Sequence, residues 1–153
     1  RTLVLDPKFI VCDEPVSMLD ASIQANILNL FLDIRDKFNL SMLFITHDLA
    51  VARYVSDRIA VMYLGRTVEL GETDELINNP LHPYSSALFS AVRSINPEVG
   101  LGKIQIKGEI SDPINLPSGC RFNPRCPLAK DICKSVEPEL EIKQGHLVAC
   151  HMV

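Results

Sequence analysis

Phe9-Ile10-Val11-Cys12-Asp13-Glu14-Pro15 is the stretch whose reading decides the fold. Four apolar residues run into two adjacent carboxylates, and a proline then stops the strand from continuing. A short apolar run ended this way predicts a fully buried strand of a parallel sheet. Ligands of such sheets sit just beyond the carboxyl ends of the strands, where Asp13 and Glu14 fall. Two acids at a buried strand end are costly unless something cationic or reactive belongs there. The first suits a metal ion and the second the polarising of a water. The competing reading is that both acids simply begin a solvated loop.

Working outward, Ile23, Ile27, Phe31, Ile34 and Phe38 recur at helical spacing, with Asp20 placed to cap the helix and Asn39 to end it. Ser41 to Thr46 reads as a second buried strand, followed by His47-Asp48. Strand, helix and strand make a βαβ unit, whose right-handed crossover lays the two strands parallel. Glu14 and His47 are therefore expected at one edge of one sheet.

Further along, Leu49 to Val55 predicts a short helix capped by Asp48. Arg58 to Tyr63 and Thr67 to Leu70 read as strands about a turn at Leu64-Gly65-Arg66. Thr73 is placed to cap a brief helix stopped by Pro80. Another helix opens at His82-Pro83, with Tyr84, Ala87, Leu88, Ala91, Val92 and Ile95 as its apolar face. Composition changes near Asn96-Pro97. Beyond it Lys103 to Lys107 alternates as a strand, and the tail has too few apolar side chains for a substantial core. A covalent or metal cross-link is expected to make up the deficit.

The chain has 153 residues, 47% hydrophobic, a formal net charge of -4 and a pI near 5.5. That charge gives no reason to expect a general affinity for nucleic acid. No apolar run reaches the roughly 18 residues of a membrane span. Arg1 to Leu5 reads as the last turn of a helix, so the expectation is a piece of a larger domain, with no leader visible.

Asp13, Glu14 and His47 together suit phosphoryl transfer to water. That reaction needs a divalent ion against the phosphate charge, a group that orients the attacking water, and a sensor of the terminal phosphate. Phe9 to Pro15 with Ser17-Met18-Leu19-Asp20 resembles the Walker B strand and D-loop of ABC-type ATPases, and Thr46-His47-Asp48 resembles their switch-histidine loop. Met18 departs from the small residue usual in that D-loop. The resemblance implies a partial P-loop NTPase fold, an α/β parallel sheet flanked by helices, acting on ATP with Mg2+. It implies that Asp13 holds the ion through water, that Glu14 is the general base and that His47 contacts the terminal phosphate. Ser17 and Asp20 would lie at the interface of two such domains. The family's Gly-rich phosphate loop, glutamine loop and signature motif are absent from these residues, so this chain alone is expected to be inactive.

Asn79-Pro80-Leu81-His82-Pro83-Tyr84-Ser85 resembles the motif that opens the C-terminal extension of oligopeptide and dipeptide import ATPases, whose architecture nickel importers share. Gly108 to Asn115 and Pro117 to Pro127 continue the likeness, the Pro113-Ile114-Asn115 stretch most like the second of the two ATPase subunits. The division expected is an ATPase core portion over residues 1–79 and an extension over 80–153. Cys120, Cys126, Cys133 and Cys150 are spaced C-x5-C-x6-C-x16-C, without the tight C-x2-4-C knuckle usual for zinc. Four thiolates on irregular loops, one followed by Pro127, suit a [4Fe–4S] cluster better, as the resemblance also implies. Zn2+ stays open through His146 and His151, and so do disulfides. Arg121, Arg125 and Lys130 are expected to favour the thiolates. Such a tail reads as a structural staple rather than a redox sensor.

The expected function is thus ATP hydrolysis powering peptide import at the cytoplasmic face of a prokaryotic cell membrane. The implied partners are a second ATPase subunit, two transmembrane permease subunits and an extracytoplasmic peptide-binding protein. A soluble ABC-type ATPase of DNA repair or translation is the alternative, and a non-enzymatic iron–sulfur or zinc domain a further one. Neither accounts for both the His-Pro-Tyr motif and an intact Glu14 and His47.

Overall fold

The computed structural model describes residues 6–93, 106, 108 and 112–153, and they form a mixed α/β chain. Residue contacts divide it into one unit ending at Ser56 and another beginning at Asp57. The expected helical turn at Arg1 to Leu5, the strand at Lys103 to Lys107 and the helix end at Ile95 lie outside the described residues.

In the first unit β1 (Phe9–Asp13) pairs in parallel with β2 (Ser41–Ile45), Asp13 standing opposite Ile45. Helix α1 (Ala21–Phe38) connects them, and α2 (Leu49–Val55) follows. Buried Val16, Leu28 and Val51 pack with Ile27, Phe44 and Val55, and the rings of Phe31 and Phe44 meet edge to face at 5.6 Å. Asn39 ends α1 in the left-handed conformation, as expected, its N–H reaching the Arg35 and Asp36 carbonyls. Asp48 caps α2 by accepting from the Ala50 and Val51 N–H groups. Asp20 holds the cap position of α1 with extended backbone, yet its side chain makes no capping bond.

The expectation of fully buried strands is corrected. Phe9 and Val11 are 56% and 54% exposed, and Leu43 and Ile45 are exposed as well. Side chains alternate across a strand, and in this two-stranded pair only the Cys12 and Phe44 face is packed. Asp13 is exposed too, so no buried acid pair exists.

The second unit is built on a four-stranded antiparallel sheet in the order β3-β4-β6-β5. Strands β3 (Arg58–Tyr63) and β4 (Arg66–Glu72) meet at Leu64-Gly65, both with positive φ, the backbone of a tight two-residue hairpin. Helices α3 (Thr73–Asn78) and α4 (Pro83–Arg93) follow, then a 3-10 turn at Asn123–Arg125 and α5 (Asp131–Ser135). Glu72, not Thr73, holds the cap position of α3, while the Thr73 N–H bonds the Asp57 carbonyl. The tail then returns as β5 (Glu141–Lys143) and β6 (His146–Val148). These strands escaped the sequence reading because three residues are too few to show alternation and their turn is Gln144-Gly145. Buried Phe89, Phe122, Leu76 and Val148 fill this unit. No helix among the described residues is long and apolar enough to cross a membrane.

Candidate functional site

The parallel pairing of β1 and β2 delivers Glu14 and His47 to the same strand ends. Glu14 is bound into the sheet by its N–H on the Ile45 carbonyl at 2.9 Å, and it takes a positive φ of 45°. That left-handed backbone is uncommon outside glycine, and here it turns the chain out of the strand directly after Asp13. Glu14 Oε1 accepts the His47 backbone N–H at 3.1 Å and lies 2.7 Å from His47 Nδ1. This bond, with the Glu14 charge, raises the His47 pKa above its ordinary value. The Ser17 hydroxyl donates to the Glu14 carbonyl at 3.1 Å and closes the turn after the strand. Asp48 N–H reaches the Thr46 hydroxyl at 3.0 Å and steadies the loop carrying His47. Asp13 ends β1 with an exposed side chain, and Asp20 is exposed at the start of α1. The group therefore offers an oriented carboxylate, a histidine held by it, and a second carboxylate one residue earlier.

All five of the chain's cysteines are free, so none of the four thiols in the second unit is tied in a disulfide. The Cys120 N–H bonds the Cys133 carbonyl at 2.8 Å, which joins two of the cysteine loops. Burial raises the thiols of Cys120, Cys126 and Cys150, and each also feels other cysteines of the set. The four are thus electrostatic neighbours. Among the described residues, however, no three His, Cys, Asp or Glu side chains are gathered to hold a metal ion. In kind four thiols suit a thiolate-held group, but no arginine acts on them and their side chains are not gathered about one point.

The expected cationic support is corrected. Arg121 is spent on the Leu64 carbonyl and Glu137, and Arg125 approaches the Tyr63 hydroxyl. Lys143 is the cation that opposes the rise at Cys150, and its ammonium donates to the Cys150 carbonyl at 2.8 Å. Each histidine kept open for zinc has one ring nitrogen bonded, and Nε2 of His146 is buried with no hydrogen-bond partner. His151 Nε2 meets the Val136 carbonyl at 3.0 Å, and His146 Nδ1 meets Glu69.

Sequence reasoning missed Glu69. This carboxylate is fully buried in β4, bonded to the Leu81 and His82 N–H groups and to His146. The available signal was a lone charge inside Thr67-Val68-Glu69-Leu70, a strand whose neighbours are apolar.

A family model described as the oligopeptide/dipeptide transporter C-terminal region matches residues 68–133. The chain is 50% identical over 151 residues to the di/tripeptide transport ATP-binding protein DppF of Pseudomonas aeruginosa, covering 99% of this chain and 47% of that one. It is 52% identical over 152 residues to the oligopeptide transport ATP-binding protein OppF of Salmonella typhimurium, covering 98% and 46%. Over nearly all its length the chain is similar to oligopeptide and dipeptide transport ATP-binding proteins, and residues 68–133 match that family's C-terminal region.

AppF of Bacillus subtilis, another oligopeptide transport ATP-binding protein, is similar at 50% identity over 99% of this chain and 47% of its own. The chain spans about half the length of these curated relatives. A solved structure of cbiO1 from Clostridium perfringens, part of an ABC transporter complex, has TM-score 0.48 and 24% identity over 63% of this chain and 35% of that one, a likeness too slight to argue from. The family match begins one residue before Glu69 and contains the His-Pro-Tyr turn and Cys120, Cys126 and Cys133.

Proposed function

We propose that this chain is part of the ATP-hydrolysing subunit of an ABC-type importer of oligopeptides or dipeptides. What carries the reading is its identity of 50% and 52%, over nearly all its length, to transport ATP-binding proteins of those substrates. The subunit would sit at the cytoplasmic face of the cell membrane, against a second ATPase subunit and two permease subunits served by a peptide-binding protein.

Within the ATP site, Asp13 would hold Mg2+ through water and Glu14 would take the proton of the attacking water. A carboxylate already fixed by two bonds from His47 supports that role, because a base must be oriented before it is useful. His47 would turn its other ring nitrogen toward the terminal phosphate. Ser17 and Asp20 would belong to the contact between two ATPase domains. Glu14→Gln in the full-length subunit, assembled with its transporter, should abolish hydrolysis while ATP binding persists. Normal turnover in that variant would remove Glu14 from the role.

For the tail, Cys120, Cys126, Cys133 and Cys150 would hold a [4Fe–4S] cluster, with Zn2+ the alternative. The electrostatic influence of the thiols on one another supports the reading. When bound, the group would cross-link the tail. Iron with broad visible absorption in anaerobically prepared protein is the expected result, and neither iron nor zinc at stoichiometric level would overturn a metal-bound tail.

A further inference from the structure

The middle of a β-strand facing a core normally takes an apolar side chain, yet β4 places Glu69 there with no exposure. A buried carboxylate persists only when its oxygens are satisfied. Both are. Oε1 accepts the Leu81 N–H at 2.8 Å and stands 2.9 Å from His146 Nδ1, while Oε2 accepts the His82 N–H at 3.0 Å. Leu81 and His82 are the residues that lead into α4, and His146 opens β6. One side chain thus answers donors from two elements more than 60 positions apart.

The surroundings are shaped for this contact. Gly71 lies under the His146 ring, where an added Cβ would approach ring atoms to 3.3 Å. His146 is itself 2% exposed, so its ring cannot exchange Glu69 for water without the sheet opening. Backbone pairing supplies the rest of the β6 attachment, through Glu69 opposite Val148, Leu70 opposite Leu147 and the Ala149 N–H on the Val68 carbonyl.

We propose that Glu69 is a positioning residue that couples the tail strand β6 to the start of α4, so that the two open and close together. Removing either donor side leaves the other facing a buried acceptor with an unmet bond, so loosening at one end raises the cost of order at the other. The coupling runs in both directions, as any linkage between two sites must. A partner or group that orders the tail therefore also orders the His-Pro-Tyr turn, through a contact that touches none of the cysteines. This inference stands on the geometry of the second unit and does not depend on what the cysteines hold.

Amide hydrogen exchange on the intact chain tests it. Glu69→Gln should accelerate exchange at Leu81, His82 and Ala149 together by about tenfold or more, the scale of a lost charge-assisted bond. Amides of α1, in the other unit, should not change, and retained protection where β3 pairs with β4 reports that the second unit has folded. His146→Gln alters only the tail side of the junction and should still accelerate Leu81 and His82. The double variant should exchange there no faster than Glu69→Gln alone. Acceleration confined to β5 and β6 in His146→Gln, or additive effects in the double variant, would overturn the coupling. His146→Gln decides the matter by itself if Glu69→Gln does not fold.

Discussion

Glu14 Oε1 holds His47 twice, at its backbone N–H and at its ring Nδ1, and so joins two strand ends separated by 33 positions. A carboxylate on the imidazole favours its charged form, which sets the sign of the pH effect. The folded pKa lies above the ordinary 6.5, so the attraction is complete below that value and fades as pH rises through the folded pKa. In an NMR titration His47 should titrate above 6.5 in the native chain and move down in Glu14→Gln. An unmoved titration would show that the pair is not formed in solution.

His82 should do the opposite. Burial pushes its pKa down to about 4, because the cation has no water there. Its Nδ1 accepts the Tyr84 N–H at 3.0 Å, so the ring is neutral with its proton on Nε2, and it caps α4 in place of a Ser or Asp. The unfolded chain binds the proton near 6.5 and the folded chain only near 4, so stability falls as pH drops through that interval. The full loss is on the order of 3 kcal/mol. Urea unfolding between pH 4 and 7, followed by tyrosine fluorescence, should show this slope in the native chain and a flatter one in His82→Asn. Equal slopes would mean that His82 protonates without cost.

The parallel β1 and β2 pair, the helix between them and the placing of Glu14 and His47 at one sheet edge were legible in the sequence, since periodicity and a right-handed crossover suffice to place them, whereas the direct bond between the two was not. What escaped depended on partners distant along the chain. Nothing near Glu69 announces that Leu81, His82 and His146 will meet it, and β6 is a strand because it pairs with β4, as β5 is because it pairs with β6. The second face of β1, apolar in sequence, stands open in a chain that spans about half the length of its relatives. An apolar run tells what a strand can tolerate on both faces, while the packing found here covers one.

Gly119 and Gly145 provide an internal control on the tail. Both have positive φ, but an added Cβ at Gly119 would run into the Cys133 carbonyl oxygen, whereas at Gly145 it meets open space. Gly145→Ala should cost about 1 kcal/mol, the conformational term alone. Gly119→Ala adds a clash with backbone and should cost about 2–4 kcal/mol, with the bond from the Cys120 N–H to the Cys133 carbonyl disturbed. Paired urea melts of the two variants give the comparison, and equal costs would contradict the tight approach at Gly119.

Phe122 is the apolar anchor of the cysteine loop. It is 1% exposed, and its ring lies 5.2 Å from that of Tyr63, 5.4 Å from Tyr84 and 5.7 Å from His82. Truncating a buried ring to Ala costs about 3–5 kcal/mol, partly as transfer and partly as cavity. Phe9→Ala, at a ring 56% exposed, should cost far less. Because Phe122 is two residues from Cys120, the same substitution should also free that loop to open. Thiol labelling of the metal-free chain at Cys120 should then quicken by about a hundredfold or more, in proportion to the lost stability. Unchanged labelling beside a large loss of stability would show that the loop is held by its backbone bonds to Cys133 and Asn123 instead.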